Sequence, residues 1–442
     1  MDWSKLPDLI AVTLLTCAFA SVALRSHARA SAFWLMGWVL IGLHFAASLF
    51  FSVPTMWGTI ALFAGLTALV WAGELFQWAC VPSGQQRSSL WLLSALLSAS
   101  LLYIYVLILT SARPWMLDLA APLFGLLPVA IALLTRKKFN HPLLWTTVIL
   151  YGTLSIFLLV FQNRPQNGGD LALNALLFTV YFACGINFAF MYRRASSGAL
   201  VTIVGFFTWA AVFVVAQLMD AYFPAIKIES EVWNLPKYVV AVGMILLVLE
   251  DQIEYNRHLA LHDELTGLPN RRLFHDRLAN ALERARRNKT EVALLLLDLD
   301  DFKLVNDSLG HHTGDELLKK VSAIFLSRIR RSDTVARTGG DEFCFILEGP
   351  RSRTDASHVA DSLIRLMDEP LEIDSRMLRI GASVGIALFP EDADDSEAMC
   401  IAADMRMYAN KHAGKVQSNG FSSESPVETP MTGVRPDMHR IA

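Results

Sequence analysis

The most constraining feature of this chain is a succession of apolar runs, each about 20 residues long, that fills roughly its first 250 residues. A helical run of that length covers the hydrocarbon core of a bilayer, because a helix rises about 1.5 Å per residue. Short polar breaks separate the runs, so each is predicted as one transmembrane helix. We count about nine, near residues 8–24, 32–51, 57–79, 89–110, 115–135, 142–162, 171–192, 198–221 and 235–250.

Basic residues in the short connections predict the orientation, since Lys and Arg are retained on the cytoplasmic side. The connections after the odd-numbered runs are rich in them, and those after the even-numbered runs carry fewer. The N-terminus is therefore predicted outside and the C-terminus in the cytoplasm, which requires an odd number of spans, nine or seven. The basic residues after the odd-numbered runs are Arg25, Arg29, Arg87, Arg136, Lys137, Lys138, Arg193 and Arg194.

The first run is predicted as a retained helix. A cleaved signal peptide is the weaker alternative, because Asp2 and Asp8 leave its start nearly uncharged beside Lys5.

Composition agrees with two unlike parts. The chain has 442 residues, of which 54% are hydrophobic and 18% charged, and this is too apolar for a purely soluble protein of that length. The formal net charge of −3 gives no reason to expect a nucleic-acid partner, and none is predicted. The five cysteines form no CxxC pair and are interpreted as reduced, buried thiols.

Three polar residues at membrane depth are candidates for function: His44, Glu74 and Asp118. For Glu74, a functional role and simple snorkelling towards the interface remain open, because tryptophans typical of the interface flank it. Transport usually needs several intramembrane charges along a path, and this part has few. A sensory or anchoring role is therefore favoured over a transporter regulated by the C-terminal part.

A helical stalk is predicted over residues 251–262, because the last run continues into charged sequence without a helix breaker. Alternating three- and four-residue spacing is typical of a short parallel coiled coil. A solvated helical spacer is the alternative that the sequence leaves open. The residues with this spacing are Leu246, Leu249, Ile253, Asn256 and Ala260.

The pattern changes after the stalk. Residues 292–297 form a short, continuously apolar run typical of a buried strand, and Asp298 follows it. Residues 333–347 read as a hairpin with Gly339 and Gly340 in its turn, directly before Asp341. Carboxylates at rigid strand ends suit the hard cations that assist phosphoryl transfer. An ordinary acidic hairpin turn is the alternative for Gly-Gly-Asp-Glu taken alone.

Taken together, residues from about 258 to 415 resemble a GGDEF diguanylate cyclase domain. The motifs that carry the resemblance are DELTGLPNRR, DLDDFKLVND at Asp298 to Asp307, GHHTGD at Gly310 to Asp315, RRSD at Arg330 to Asp333, and RTGGDEF at Arg337 to Phe343. The resemblance implies an α/β (α+β) domain with a mostly antiparallel sheet flanked by helices, similar to nucleotidyl cyclases and the polymerase palm. It also implies that two GTP are condensed to cyclic di-GMP.

The resemblance further implies the roles of individual residues. Asp298, the Leu299 carbonyl and Asp341 would hold Mg²⁺, with Glu342 beside a second ion and Mn²⁺ as an alternative metal. Asp341 is also implied to accept the 3′-hydroxyl proton. The implied substrate-binding residues are Asn306 and Asp315 for guanine, His311 on the substrate side, Phe302, Lys303, Lys411 and Lys415 for the phosphates, and Gly339 and Gly340 in the turn.

Two positions depart from the family pattern. Lys415 stands where many relatives have arginine, so a point charge replaces a bidentate fork, and Asn410 stands where alanine is usual. Arg330 and Asp333 match the family's inhibitory site for the product, which predicts product inhibition. The alternative to an enzyme is a domain that has lost catalysis and only senses GTP or cyclic di-GMP.

The sequence thus predicts a multi-span α-helical membrane domain (1–250), a stalk (251–262), a GGDEF domain (263–416) and a disordered tail (417–442). No phosphodiesterase segment fits in the tail. The expected location is a bacterial inner membrane with the GGDEF domain in the cytoplasm. The expected partners are GTP, cyclic di-GMP, the lipid bilayer and a second copy of the chain, since a two-fold symmetric product needs two facing domains.

Overall fold

The computed structural model describes residues 1–24, 29–81, 86–109, 114–135, 142–162, 168–192, 196–226, 228–350, 352–374 and 376–420. It divides into two compact units, Met1–Glu254 and Tyr255–Ala442, and the division falls inside one helix.

The first unit is helical throughout its described part. A short 3₁₀ turn at Trp3–Lys5 precedes ten α-helices. These are α1 (Leu6–Ala23), α2 (Arg29–Ser48), α3 (Met56–Ala79), α4 (Gln86–Leu109), α5 (Pro114–Ala120), α6 (Leu123–Thr135), α7 (Pro142–Phe161), α8 (Gly168–Met191), α9 (Ser197–Tyr222) and α10 (Ser230–Leu261).

Each predicted apolar run coincides with a helix. Within the described residues, eight helical stretches are long and apolar enough to cross a membrane, and Trp145–Phe161 is a shorter apolar helix. The fifth run is divided into α5 and α6, because Pro122 disfavours helical backbone at the residue before it. The loop residues that predict the orientation, such as Arg136 and Arg193, lie outside the described residues, as does the side chain of Arg87.

Aromatic and small side chains fill the interior of this unit. Tyr181 of α8 stacks on Trp209 of α9 with ring centroids 3.9 Å apart, and Gly198 and Gly205 bring α9 against the backbone of α10. An added Cβ at Gly198 would lie 2.6 Å from the backbone nitrogen of Leu247. Close packing without side-chain bulk is the usual way in which helices associate in membranes.

The polar residues predicted at membrane depth are mostly inside the bundle. Glu74 is only 2% exposed, and its carboxylate accepts a 3.5 Å hydrogen bond from Ser100 of α4. Snorkelling is therefore the wrong interpretation of Glu74, because its side chain points between helices. His44 pairs through Nδ1 with the carbonyl of Gly65 (2.9 Å), and Asp118 accepts a 3.0 Å hydrogen bond from Gln162.

Helix α10 continues from the apolar region through the predicted stalk and ends at Leu261. Two positions of the proposed coiled-coil spacing, Leu249 and Ile253, are 38% and 66% exposed. An apolar face left open in one chain is compatible with pairing between two copies. The coiled coil itself stays a prediction.

The second unit is an α+β domain. Its elements are α11 (Arg271–Asn288), β1 (Val292–Leu299), α12 (Phe302–Leu309), α13 (His311–Arg328), β2 (Thr334–Arg337), β3 (Glu342–Glu348), α14 (Arg353–Asp368), β4 (Leu371–Ile373), β5 (Arg376–Leu378), β6 (Ala382–Phe389) and α15 (Ser396–Gly420).

The main sheet has the order β2-β3-β1-β6, and each pair is antiparallel. Strand β1 lies between β3 and β6, and helices pack on both faces of the sheet. Its run of apolar residues is therefore buried. Leu295 and Leu297 face the cluster of α13 and α14, while Leu294 faces the cluster of α11 and α15. The expectation of a mostly antiparallel sheet flanked by helices is confirmed.

The structure differs from the sequence predictions for one cysteine and for the end of the second unit. Cys17 is exposed, so the interpretation of every cysteine as buried is wrong for it, since its side chain lies on the outer surface of α1. Helix α15 continues to Gly420, past the predicted domain end at residue 416. The remainder of the predicted disordered tail, residues 421–442, lies outside the described residues.

Candidate active site

The site forms where β1 ends beside the β2–β3 hairpin. Asp298 is the second-to-last residue of β1 and is paired in register with Glu342 of β3. The next residue, Leu299, donates its backbone N–H to the carbonyl of Asp341 over 3.2 Å. The antiparallel register therefore brings together Asp298, Asp341 and Glu342, which are far apart in sequence.

The two carboxylates of Asp-Leu-Asp have different surroundings. Asp298 is 8% exposed, and its negative charge acts on Asp341 of the hairpin. Asp300 instead accepts a 2.9 Å hydrogen bond from Ser383 of β6, and its backbone N–H donates to Gly381. This assigns Asp300 to fixing the strand end, and leaves Asp298 for the site.

The hairpin turn is closed by its own backbone and by Arg337. The N–H of Thr338 donates to the carbonyl of Glu342 over 3.0 Å. The Arg337 guanidinium donates to the carbonyl of Gly340 through Nε (3.2 Å) and Nη2 (2.8 Å). Its Nη1 atom also forms a 2.8 Å ion pair with Asp263, at the start of the domain.

The two glycines of the turn serve different needs. A Cβ on Gly339 would lie 2.6 Å from the Glu342 carboxylate, so a side chain there would displace Glu342. A Cβ on Gly340 would meet nothing within 4 Å, so the space beside it is open within the described chain. The sequence predicts that these glycines leave room for a ligand to approach closely. For Gly340 this stays a prediction.

The carboxylates crowd one another. Burial, followed by the charge of Asp298, raises the pKa of Asp341 above its ordinary value. Burial and the neighbouring negative charges of Asp298 and Asp341 likewise raise the pKa of Glu342. A cation placed among these groups would relieve their repulsion.

Lys411 of α15 supplies one positive charge to this cluster. Its ammonium pairs with the carboxylate of Asp298. Burial alone would lower the pKa of Lys411, but the ion pair with Asp298 outweighs burial and raises it. Asn410, which departs from the family pattern, donates a 2.7 Å hydrogen bond to the carbonyl of Val384 and so ties α15 to β6 next to Lys411.

The acidic side chains at this site can bind a divalent metal only together with other ligands. Within the described residues, no three His, Cys, Asp or Glu side chains are grouped closely enough to hold an ion alone. Mg²⁺ is usually held by one or two carboxylates, with waters and substrate phosphates completing its shell. The crowded carboxylates of Asp298 and Asp341, with the carbonyl of Leu299, match that pattern.

The predicted guanine-binding residues flank the turn between α12 and α13. The Oδ1 atom of Asn306 is buried and has no hydrogen-bond partner among the described residues. A Cβ on Gly314 would lie 1.9 Å from this atom, so Gly314 leaves the room that the Asn306 side chain occupies. Asp315 and His311 are exposed on the same turn of α13. An amide with an unused acceptor and an exposed carboxylate can meet a polar base edge.

The residues predicted to contact the phosphates are only partly together. Phe302 is 8% exposed and lies in the sheet core, so only its backbone is available to a ligand. Lys303 is exposed and shows no ion pair among the described residues, whereas Lys411 is held in the acidic cluster. The side chain of Lys415 lies outside the described residues.

The predicted inhibitory pair is a surface feature at the start of β2. The Asp333 carboxylate accepts the backbone N–H of Arg330 (3.2 Å) and of Glu348 (3.3 Å). Asp333 therefore also holds its own turn to β3. The side chain of Arg330 is exposed.

Sequence reasoning missed two features of the site. The first is the tie from Asp263 through Arg337 to the turn, which two separate motifs supply. The second is a cavity of about 420 Å³ on the α11 and α15 side of the sheet, whose lining includes Arg271, Glu342 and Asp404. The negative charge of Asp404 acts on Glu342 across it. No spacing pattern points to this cavity, because its residues come from four separate elements, α11, β1, β3 and α15, and from the hairpin turn.

Residues 260–417 match the family described as diguanylate cyclase, GGDEF domain. The curated protein MucR of Pseudomonas aeruginosa, a bifunctional diguanylate cyclase/cyclic di-GMP phosphodiesterase, is 41% identical over 198 residues, covering 41% of this chain and 28% of MucR. Diguanylate cyclase TpbB of P. aeruginosa is 40% identical over 168 residues, covering 38% of this chain and 39% of TpbB. The chain thus spans less than half the length of either relative. A solved structure comprising only the GGDEF domain of TpbB is 42% identical, with a TM-score of 0.34, over 34% of this chain and 89% of that one.

Proposed function

We propose that this chain, whose residues 260–417 form a GGDEF domain, is a membrane-anchored diguanylate cyclase that converts two GTP into cyclic di-GMP and two diphosphates. The observation that carries the proposal is the convergence of Asp298 and Asp341 at the end of β1, with Lys411 beside them. A domain that had lost catalysis would be expected to show a damaged turn or metal site, whereas Asp298, Asp341 and Glu342 are all present. The names of MucR and TpbB as cyclases agree with the proposal.

In the proposed reaction, the 3′-oxygen of one GTP attacks the α-phosphorus of a second GTP. A P–O bond to the 3′-oxygen forms, the bond to the β-phosphate oxygen breaks, and diphosphate leaves with that electron pair. Asp341 accepts the 3′-hydroxyl proton. In a second step of the same kind, the 3′-oxygen of the second GTP attacks the α-phosphorus of the first. This step closes the ring and releases the second diphosphate.

The acidic cluster is proposed to hold two divalent cations, Mg²⁺ or Mn²⁺, through Asp298, the Leu299 carbonyl, Asp341 and Glu342. When bound, such cations neutralise phosphate charge and polarise the phosphoryl oxygens. Asn306 and Asp315 are proposed to select guanine, since a carboxylate accepts from N1–H and N2–H₂. Lys303, Lys411 and Lys415 are proposed to bind the phosphates.

Each domain presents one GTP, so two domains have to face one another and a monomer is inactive. Helix α10 leads from the apolar helices into the domain without a break, and its open face at Leu249 and Ile253 is proposed to pair with a second copy. The apolar helices are proposed to anchor this dimer in a bacterial inner membrane, with the N-terminus outside. Binding of cyclic di-GMP at Arg330 and Asp333 is proposed to inhibit turnover.

The direct test is turnover by the full-length chain in lipid nanodiscs supplied with GTP and Mg²⁺. Cyclic di-GMP formation, detected by mass spectrometry, supports the enzyme. GTP binding without product, in a preparation shown to be dimeric, would indicate the sensor alternative.

A further inference from the structure

A cavity of about 870 Å³ lies in the helical unit, between α7, α8 and α9. This volume is within the range of pockets that bury a small organic molecule. Its walls are largely apolar and include three phenylalanines, Phe157, Phe178 and Phe213. The cavity opens sideways past Val214, Leu218 and Tyr222, which line it and are 44%, 50% and 75% exposed.

Two carboxamide side chains line the same cavity, Asn174 from α8 and Gln217 from α9. Both are partly buried, and neither has a hydrogen-bond partner among the described residues. The hydroxyls of Thr153 and Thr179 also line it, but each already donates to a carbonyl of its own helix. An amide without a partner in an apolar environment is unfavourable. These two amides therefore favour a ligand that can pair with them.

The two amides lie at a similar depth in the cavity. Asn174 is near the start of α8 and Gln217 is near the end of α9. Consecutive helices joined by a short loop run antiparallel, so these two helix ends are on the same side. Phe178 and Phe213 lie one turn further into their helices, away from that side. Apolar lining residues also lie on the other side of the amides, nearer the helix ends, at Leu171 and Ala221. The two amides are therefore a polar spot within apolar walls.

We propose that this cavity binds an uncharged amphiphile, which inserts an alkyl or aromatic body among the phenylalanines and presents a hydroxyl, ester or amide head to Asn174 and Gln217. Among the described residues, the lining contains no Asp, Glu, Lys, Arg or His, which argues against a charged head. The sideways opening admits the ligand from the lipid phase. By the predicted orientation, the two amides lie in the half of the cavity towards the outer leaflet. The proposal rests on the proposed membrane location and not on cyclase activity.

A photo-crosslinking experiment on the full-length chain in nanodiscs tests this site. The probe is a monoacylglycerol with a diazirine in its C16 chain, and the labelled peptides are mapped by mass spectrometry. The expected result is saturable labelling on α7, α8 and α9 that unlabelled monoacylglycerol competes away. Diazirine-bearing hexadecane and hexadecanoate at pH 8 are the comparison probes, and both are expected to label these helices less.

Two sets of variants give the result its specificity. Ala221→Trp places bulk in the lining, while Val215→Trp places the same bulk on α9 outside it. Labelling by monoacylglycerol is expected to fall at least about fivefold in the first variant only. Gln217→Leu and Asn174→Leu keep the volume but remove the amide. They are expected to reduce labelling by monoacylglycerol about 2- to 10-fold without reducing labelling by hexadecane.

Three outcomes would overturn the site. One is labelling spread without saturation over the outer surface of all the helices. Another is hexadecane labelling that equals that of monoacylglycerol in the native chain. The third is protection of the mouth residues by a second copy in a cross-linked dimer. Recovery of the chain in the soluble fraction would instead contradict the membrane location on which the proposal rests.

Discussion

The Nη1 atom of Arg337 lies 2.8 Å from Oδ1 of Asp263, and this ion pair is 11% exposed on the arginine and 25% exposed on the aspartate. Asp263 comes two residues after α10 ends, and it also accepts hydrogen bonds from the backbone N–H (2.9 Å) and hydroxyl (2.6 Å) of Thr266. The same guanidinium holds the carbonyl of Gly340 in the Gly-Gly-Asp-Glu turn. The exit of the stalk helix and the turn at the site therefore share one side chain.

Asp263→Ala is expected to lower kcat about 10- to 100-fold, because Arg337 loses the partner that fixes it against the turn. Glu264→Ala is the matched control, since it removes an exposed carboxylate at the next position. Steady-state kinetics with GTP and Mg²⁺ measure both. Equal activity of the two variants would show that the ion pair does not position the turn.

Gly314→Ala is expected to raise the KM for GTP about tenfold, because the new methyl group displaces the Asn306 amide. This variant moves the Asn306 side chain without substituting it. Asn306→Ala should have a similar effect, and the double variant should be little worse than either single one. Additive losses would mean that Gly314 acts independently of Asn306.

Lys411→Met is expected to raise the KM for GTP about tenfold, since the variant loses a charge-assisted contact with phosphate and leaves Asp298 without its partner. Lys320→Met on the exposed surface of α13 is the control. An unchanged KM in Lys411→Met would remove Lys411 from the proposed phosphate site.

Arg330→Ala is expected to leave turnover intact and to raise the concentration of cyclic di-GMP needed for half inhibition by at least about tenfold. Asp333→Ala should also relieve inhibition. It should in addition destabilise the domain by about 1–2 kcal/mol, because the Asp333 carboxylate holds the backbone N–H groups of Arg330 and Glu348. Progress curves with added product and denaturation of a fragment covering residues 255–442 separate the two effects. Inhibition of Arg330→Ala at the native concentration would contradict the proposed product site.

An acid-sensitive cluster lies away from the site, at the end of β6. Asp392 accepts hydrogen bonds from Arg406 (2.6 Å) and Arg353 (2.6 Å). The hydrogen bond from Arg406 is the largest influence that holds the pKa of Asp392 below its ordinary value of 3.8. Because the pKa is lowered in the folded state, the stabilisation is present above pH 3.8 and is lost as the pH falls below it.

Asp392→Asn is therefore expected to lower the free energy of unfolding of the 255–442 fragment by about 2 kcal/mol at pH 7. The difference from the native fragment should shrink as the pH is lowered from 4 towards 2. Urea denaturation across this range measures it. A difference that did not change with pH would mean that the carboxylate charge is not its source.

Sequence reasoning located the elements that depend on local pattern. The continuous apolar run before Asp298 predicted a buried strand, and the paired glycines predicted the turn before Asp341. The register that places Asp298 opposite Glu342 is non-local, since about 40 residues separate the two strands and only tertiary packing sets their alignment. The family resemblance implied that Asp298 and Asp341 share a metal site, but it did not give this register.

Burial could not be obtained from the sequence in the helical part. Glu74 has neighbours typical of the membrane interface, yet its side chain is 2% exposed because it points towards α4. An almost uniformly apolar helix has no sequence pattern that shows which face is buried, because its neighbouring helices decide this. The burial of a polar side chain on such a helix can therefore be assigned only when the neighbouring helices are known. The same reason hid the cavity between α7, α8 and α9.

The most direct test of the account uses the full-length chain in nanodiscs, incubated with GTP and Mg²⁺, beside its Asp341→Ala variant. Mass spectrometry measures cyclic di-GMP and diphosphate, and a fluorescent GTP analogue measures binding. The native dimer is expected to form one cyclic di-GMP for every two diphosphates, and the variant is expected to bind the analogue but to form no cyclic di-GMP. Undiminished product formation by Asp341→Ala, or binding without product in the native dimer, would contradict it.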